Sequence, residues 1–259
     1  MTNIWDRRFG AGPAVCAFQR GWLNATVSRV QHRGKALQAA GRLILRALVI
    51  FGLIGFVLKL AGAEPQTVSF SLISPFLLFT ASSLYFFRDP DANVPRGLDL
   101  VVSPGHGTVD VIDQTEELQV MGGRCQRISI FLSIFNVHVQ QAPVSGTVIF
   151  SRHTPGRFIN AMNTESAAHN ENVLLGFDCT RPEGIRVGVR LIAGMIARRI
   201  IPWVESGSNV SQGQRISLIQ FGSRLDLYLP LGAEVTVKPG QKVVGGETVM
   251  ARIRNPATS

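Results

Sequence analysis

Hydrophobic residues follow two textures along this chain, and each predicts a different kind of structure. From about Leu43 to Ala63 the residues are apolar except for scattered small or polar ones, with Arg46 and Lys59 near the two ends. From Thr67 to Phe87 no residue carries a charge. A helix rises about 1.5 Å per residue, so roughly 20 apolar residues match the hydrocarbon core of a bilayer. Charges near the ends of such a helix can reach the interface. Ala63-Glu64-Pro65-Gln66 makes a short turn between the two stretches. The pattern predicts a two-span hairpin with both ends on one side of a membrane.

Beyond Val101 the runs shorten. Stretches rich in β-branched residues alternate with Gly and Pro turns, and no long amphipathic helix interrupts them. Two motifs recur. Pro104-Gly105-His106-Gly107-Thr108-Val109 returns in form as Pro143-Val144-Ser145-Gly146-Thr147-Val148. Gly207-Ser208-Asn209-Val210-Ser211-Gln212-Gly213 returns as Gly240-Gln241-Lys242-Val243-Val244-Gly245-Gly246. In the second pair glycines stand where the chain reverses and valine faces the core. Paired copies predict a mostly β (α+β) domain: a hairpin-built barrel or sandwich with two lipoyl-carrier-like halves. Residues 163–172 read as a polar excursion or short helix. The expected organisation is a basic arm over 1–42, a membrane hairpin over 43–87 and a β domain over 88–259.

Charge sharpens this picture. The net charge is +9, and Arg7, Arg8, Arg20, Arg29, Arg33, Lys35, Arg42 and Arg46 stand against the single acid Asp6 in residues 1–46. A basic excess just before an apolar stretch points to an anionic membrane surface. With Arg88 it puts the arm and the β domain on the cytoplasmic face of the cell (inner) membrane, because the turn between the spans has no Lys or Arg. Aromatic residues do not interleave with the bases, which argues against nucleic acid. Cys16, Cys125 and Cys179 form no motif and are expected to be reduced thiols. No spacing of His, Cys, Asp or Glu suggests a metal. His153 and His169 lie in polar surroundings and read as surface residues.

Candidate chemistry centres on Gly222-Ser223, set in the apolar run from Leu218 to Tyr228. Alone, such a pair is a turn. A buried serine can also attack the carbonyl just upstream of itself when the backbone is strained and a base is near. Gly222 has no Cβ to obstruct that attack. His138 lies in the alternating run Phe131 to Val139. An imidazole there is either a core histidine bonded to backbone or a general base, a role suited to its near-neutral pKa. Arg198-Arg199 is either a solvated pair on a strand edge or a phosphate holder, since guanidinium matches phosphate oxygens.

Between Tyr85 and Ala251 the chain resembles the phosphatidylserine decarboxylases, in their short form. The resemblance rests on ordered runs: Phe86-Phe87-Arg88-Asp89-Pro90, then Phe131 to Val139 with Pro143-Val144-Ser145-Gly146, then Gly156 to Ala161 and Asn170-Glu171-Asn172. Ile192 to Ile200, Phe221-Gly222-Ser223-Arg224 and the Gly240 to Thr248 hairpin complete it. It implies a proenzyme that cleaves itself between Gly222 and Ser223. Ser223 would become a pyruvoyl group that forms a Schiff base with the substrate amine and takes up electrons as CO2 departs. The implied substrate is phosphatidylserine in the membrane and the product phosphatidylethanolamine. The two fragments would stay together as a heterodimer, with a higher oligomer left open. His138 would be the base for Ser223, and Gln141 stands where many long-form relatives have a second histidine. Arg198 and Arg199 would hold the lipid phosphate.

One departure is at Ser103-Pro104-Gly105-His106-Gly107, where the family usually reads Ser-Pro-Ala-Asp-Gly. The usual Asp orients the histidine. His106 cannot supply a permanent negative charge, but it could bond His138, bind phosphate or act as a base, and it counts among the catalytic candidates. Two alternatives follow: a processing-deficient homologue that binds phospholipid, and a decarboxylase of a related amino-lipid. A periplasmic pump adaptor would also join a membrane segment to lipoyl-like hairpins, but its long coiled coil needs sustained heptads, which are missing here.

Overall fold

The computed structural model describes residues 32–156, 170–194, 199–220 and 222–253. Helix α1 (Lys35–Leu60) and helix α2 (Pro65–Phe86) form the expected hairpin, both long and apolar enough to cross a membrane. Pro65 opens α2 where its missing N–H costs nothing, and Pro75 lies inside α2 without ending it. α1 begins at Lys35, within the segment read as an arm, and ends at Leu60 before Gly62 turns the chain at φ +82°. The early start has a packing cause. Ala36 and Ala40 are fully buried in a cluster with Phe86, Phe87, Val137, Val139 and Leu218. Small residues on one face let α1 sit flush on the β domain, so the first turns of the helix are fixed by tertiary contact. Farther along, Leu53, Phe56, Val57 and Leu60 of α1 and Phe70 and Leu78 of α2 are exposed. An apolar surface of that extent is what a lipid environment would cover.

The β domain is built in two equivalent halves, one inserted in the other. β1 (Leu100–Val102), β2 (Gly107–Glu117) and β3 (Gly123–Leu132) begin the first half. The second half then follows whole: β4 (Val139–Gln141), β5 (Gly146–Thr154), β6 (Asn172–Cys179), β7 (Arg186–Ala193), β8 (Arg199–Pro202), β9 (Asn209–Val210) and β10 (Arg215–Gln220). The chain returns to finish the first half with β11 (Ser223–Leu229), β12 (Glu234–Val235), β13 (Lys242–Val243) and β14 (Val249–Arg252). The main sheet has eight strands in the order β13-β2-β3-β11-β7-β6-β5-β9. It reads alike from both edges: β2 corresponds to β5, β3 to β6, β11 to β7 and β13 to β9. Two three-stranded sheets, β1-β14-β12 and β4-β10-β8, repeat the correspondence.

The sequence repeats mark this duplication. Thr108 pairs with Lys242 in one half and Thr147 with Asn209 in the other. Gly107 and Gly146 are required at equivalent places, because a Cβ would collide with the Phe131 carbonyl oxygen or the Asp178 carbonyl oxygen respectively. The halves also exchange backbone bonds, Gln141 N–H to the Pro104 carbonyl at 2.9 Å and Val102 N–H to the Pro143 carbonyl at 3.0 Å. The core is the shared apolar interior, including Ile128, Ile130, Leu175, Val189, Leu191, Leu225 and Leu227.

Insertion leaves the chain only two crossings between halves. One joins β3 to β4 and carries His138; the other joins β10 to β11 and carries Gly222. The helical hairpin is fastened at the first crossing. Arg88 caps the end of α2 by donating to the Tyr85 carbonyl at 2.8 Å, and reaches the Phe135 carbonyl at 2.6 Å. Asp89 and Asp91 accept from Arg215 of β10 at 2.7 and 2.8 Å. Removing either partner of the buried Arg215–Asp89 pair would strand a charge, at a cost of about 3 kcal/mol or more.

Candidate active site

Ser223 is the first residue of β11, between Leu132 of β3 and Ala193 of β7. It is fully buried, and its Oγ has no hydrogen-bond partner among the described residues. A buried hydroxyl left unpaired costs about 1–3 kcal/mol, so a reason for its retention is needed. The peptide before it is held in an unusual state. Gly222 has φ +68°, in the left-handed region where residues with a Cβ are strained. No crowding explains the glycine, since the nearest atom to a Cβ there would be Ile134 Cγ2 at 3.9 Å. The conformation itself demands it.

Both backbone polar groups of Gly222 are engaged. The Gly222 carbonyl accepts a hydrogen bond from the buried Gly194 N–H at 3.1 Å. The Gly222 N–H donates to His138 Nε2 at 3.2 Å. His138 Nδ1 lies 2.9 Å from the Asn136 carbonyl. A carbonyl only accepts, so Nδ1 carries the proton and Nε2 presents its lone pair toward the Gly222–Ser223 segment. His138 is fully buried, and the Phe86 ring packs on its imidazole with centroids 4.2 Å apart. Burial pushes the His138 pKa down to about 4, with the Asn136 bond opposing and the Arg88 charge assisting. The ring is therefore a neutral base throughout the physiological range.

Neighbouring side chains hold this geometry in place. Asn136 Oδ1 accepts from both the backbone N–H and the hydroxyl of Ser133, each at 2.9 Å. This locks the turn that aims the Asn136 carbonyl at His138. Gln140 donates to the His138 carbonyl at 2.6 Å and accepts from Ser217 at 2.8 Å. Asn170 is buried and donates to the Ala193 carbonyl at 2.8 Å, bracing the strand end before Gly194. The roles of Gly194, Asn136, Asn170 and Phe86 are not legible from the sequence. All four stand in the family-like runs, but nothing in their spacing directs a backbone N–H at a carbonyl or a ring onto another ring.

The other candidates divide. His106 is half-buried, with its pKa brought down to about 4 by burial against the opposing pull of Glu247. Both nitrogens of His138 are occupied elsewhere, so His106 does not orient it; the Asn136 carbonyl does. Charge on His106 would oppose charge on His138. Arg199 is exposed at the start of β8, opposite Gln220. Arg198 lies outside the described residues, as do His169, Cys16, most of the basic arm and residues 163–169. His153 is exposed and meets Glu171 at 3.0 Å. Cys125 and Cys179 are buried thiols. Among the described residues no cluster of His, Cys, Asp or Glu converges as a metal site.

An unpaired buried hydroxyl, a polarised adjacent carbonyl and a neutral imidazole are the parts of an intramolecular acyl shift. Comparison with known proteins points to one family. The family model described as phosphatidylserine decarboxylase matches residues 79–251. The chain is 41% identical over 202 residues to the phosphatidylserine decarboxylase proenzyme of Desulfotalea psychrophila, covering 77% of this chain and 92% of that one. It is 42% identical over 170 residues to the proenzyme of the same description from Symbiobacterium thermophilum, covering 66% and 78%. With that from Erythrobacter litoralis, identity is 40% over 212 residues, covering 77% and 84%.

Proposed function

The chain belongs to the phosphatidylserine decarboxylase family, and from that premise we propose that it is a membrane-held proenzyme that cleaves itself between Gly222 and Ser223. The observation that carries this is the engaged peptide. The Gly222 carbonyl is bonded to Gly194 N–H, and His138 Nε2 is at the same residue's N–H. In the first step His138 Nε2 leaves the Gly222 N–H and takes the Ser223 hydroxyl proton as Oγ attacks the Gly222 carbonyl carbon. Gly194 N–H then stabilises the oxyanion. The C–N bond breaks, His138 returns the proton to the departing Ser223 amine, and an ester stands in place of the peptide. Loss of the Ser223 α-proton expels the Gly222 carboxylate. Water then displaces ammonia, which leaves a pyruvoyl carbonyl at residue 223.

The site fits that group, because the atom that must start the conversion is a buried serine oxygen without a partner among the described residues. When formed, it supplies the electrophilic carbonyl that accepts the substrate amine and draws electrons from the bond to CO2. The chain's own residues hold position 223 between Leu132 and Ala193, cover His138 with the Phe86 ring and hold a proton at His138.

The family name supports phosphatidylserine as substrate and phosphatidylethanolamine as product. Fragment 223–259 would begin with β11, which pairs along its length with β3 and β7 of the other fragment. That favours a stable heterodimer after cleavage. The hairpin over 43–87 would anchor the domain over 88–259 at the cytoplasmic face of the inner membrane, with residues 1–42 as a basic arm.

The test is the denatured mass of the purified protein with and without borohydride. Two fragments, 1–222 and 223–259, are expected, and the smaller should gain the mass of a hydrogen molecule on reduction. A single chain of 28.2 kDa in membranes would overturn the reading.

The pH profile is a second expected result. His138 and His106 both have folded pKa values near 4 against 6.5 when solvated. The unfolded chain thus binds more protons between those values, so their contribution to stability is present above about 6.5 and lost as pH falls toward 4. Processing, followed by gel on newly made proenzyme, should be flat from about pH 8 to about pH 6 and fall only below about pH 5. A midpoint near 6.5 would mean that His138 is not the base.

A further inference from the structure

Arg42 and Arg46 stand one turn apart on α1, and with Arg199 of β8 they line a cavity of about 140 Å³ where the membrane hairpin meets the β domain. Like charges at this helical spacing repel. Among the described residues none of the three faces a carboxylate, and the bond that Arg42 makes is a long one, 3.4 Å, to the Gln38 carbonyl of its own helix. Several of the other arginines near the core of the β domain are matched with acids. Arg127 meets Asp113, Arg190 meets Glu117, Arg215 meets Asp89 and Asp91, and Arg224 meets Asp110. Three guanidinium groups gathered without an acid make a site that an external anion completes.

The rest of the cavity says which anion. Leu43, Phe87 and Ile201 supply an apolar lining. Beyond Arg46 the same helix exposes Leu48, Val49, Leu53 and Phe56. A ligand seated here would have its charge at the arginines and an apolar portion along α1. The cavity also adjoins the site. Gln220 lines it and lies just upstream of the Gly222–Ser223 bond, while Phe87 lines it next to the Phe86 ring that covers His138.

We infer that Arg42, Arg46 and Arg199 bind the phosphodiester of a membrane phospholipid, so that the first membrane helix forms one wall of the headgroup site. Resting on the function proposed above, this lipid is the substrate: its tails lie along α1 and its amino-acid headgroup passes Gln220 toward residue 223. The helix is then part of substrate recognition as well as an anchor. It explains why α1 is seated on the β domain by Ala36 and Ala40, since a loosely tethered helix could not hold two of three arginines in register.

The experiment uses the full chain in detergent micelles, as wild type, Arg42→Gln/Arg46→Gln, Arg199→Gln and Arg42→Lys/Arg46→Lys. Fragment masses report processing; KM and kcat for phosphatidylserine report catalysis. Titration calorimetry with dihexanoyl phosphatidylserine, dihexanoyl phosphatidylcholine and inorganic phosphate reports binding. The glutamine variants should be processed normally, with KM raised about tenfold or more and kcat within about twofold. Both short lipids should lose affinity together, because they share the phosphodiester. Lysine should restore part of the loss, since it keeps charge without the bidentate fork. An unchanged KM in correctly processed variants overturns the inference, as does inorganic phosphate displacing the lipid at equal concentration, which would mark a free-anion site. If the glutamine variants do not fold, the lysine pair decides: an affinity equal to wild type overturns it. Absence of cleavage in the wild type defeats the proposed function instead, and lipid titration still tests the arginines.

Discussion

Ser223→Ala is expected to give one uncut chain of 28.2 kDa with no decarboxylase activity and with undiminished stability. The usual difficulty with replacing a buried residue is that loss of function and loss of fold arrive together. Here they separate. Ser223 is fully buried with its Oγ unpaired, so alanine removes a polar atom that the fold does not satisfy. The backbone of residue 223 keeps its place in β11 between β3 and β7. Removing an unsatisfied buried hydroxyl is neutral or stabilising by up to about 1–3 kcal/mol. Thermal unfolding of the variant should therefore match or exceed that of the uncut wild type. Chemistry fails for a different reason, because no oxygen remains to attack the Gly222 carbonyl, so no ester forms whose elimination and hydrolysis would leave the carbonyl. A cut chain in this variant would remove Ser223 from the mechanism. An uncut chain that retained decarboxylation would remove the pyruvoyl group from it.

Much of this arrangement is legible in the sequence, and the boundary falls where physics predicts. The helical hairpin is readable because two long apolar runs separated by a short Pro-containing turn each have the length of a single helix. Its start is not. The apolar pattern begins at Leu43, whereas Ala36 and Ala40 belong to α1 by packing against Phe86 and Val139, a contact between distant segments. The two glycine-centred repeats announce a duplicated β domain. They cannot announce that one copy is inserted in the other, because insertion leaves local patterns unchanged and alters only which strands meet. That insertion brings the His138 crossing and the Gly222 crossing together. Ser223 and His138 stand out as candidates through the runs that resemble the family, which single out side chains by name. Gly194 is not, because its contribution is a backbone N–H, and every residue but proline has one. The sequence also suggests a bond between His106 and His138, but the two nitrogens of His138 are held by Asn136 and Gly222.

His138→Ala should slow self-cleavage by about 10²–10⁴-fold, the usual worth of a positioned general base. The imidazole does two things in this site, and the variant removes both. It holds the Gly222 N–H at 3.2 Å, which helps keep the peptide before Ser223 in its left-handed turn, and it offers the only neutral nitrogen base aimed at that peptide among the described residues. Truncation also leaves a void beneath the Phe86 ring, so some loss of stability is expected, and slower cleavage alone would not separate chemistry from packing. Added imidazole makes the distinction. A small free base can enter the space left under Phe86 and accept the Ser223 proton, but it cannot repair a general loosening of β4 or of the α2 junction. Recovery of cleavage with imidazole, rising with the fraction of neutral imidazole as pH increases through its own pKa, would identify the missing function as proton acceptance. Buried His138 is neutral down to about pH 4, so that dependence should be absent from the wild type and present in the rescued variant. Cleavage of His138→Ala at the wild-type rate would remove His138 from the chemistry and assign the base to another group.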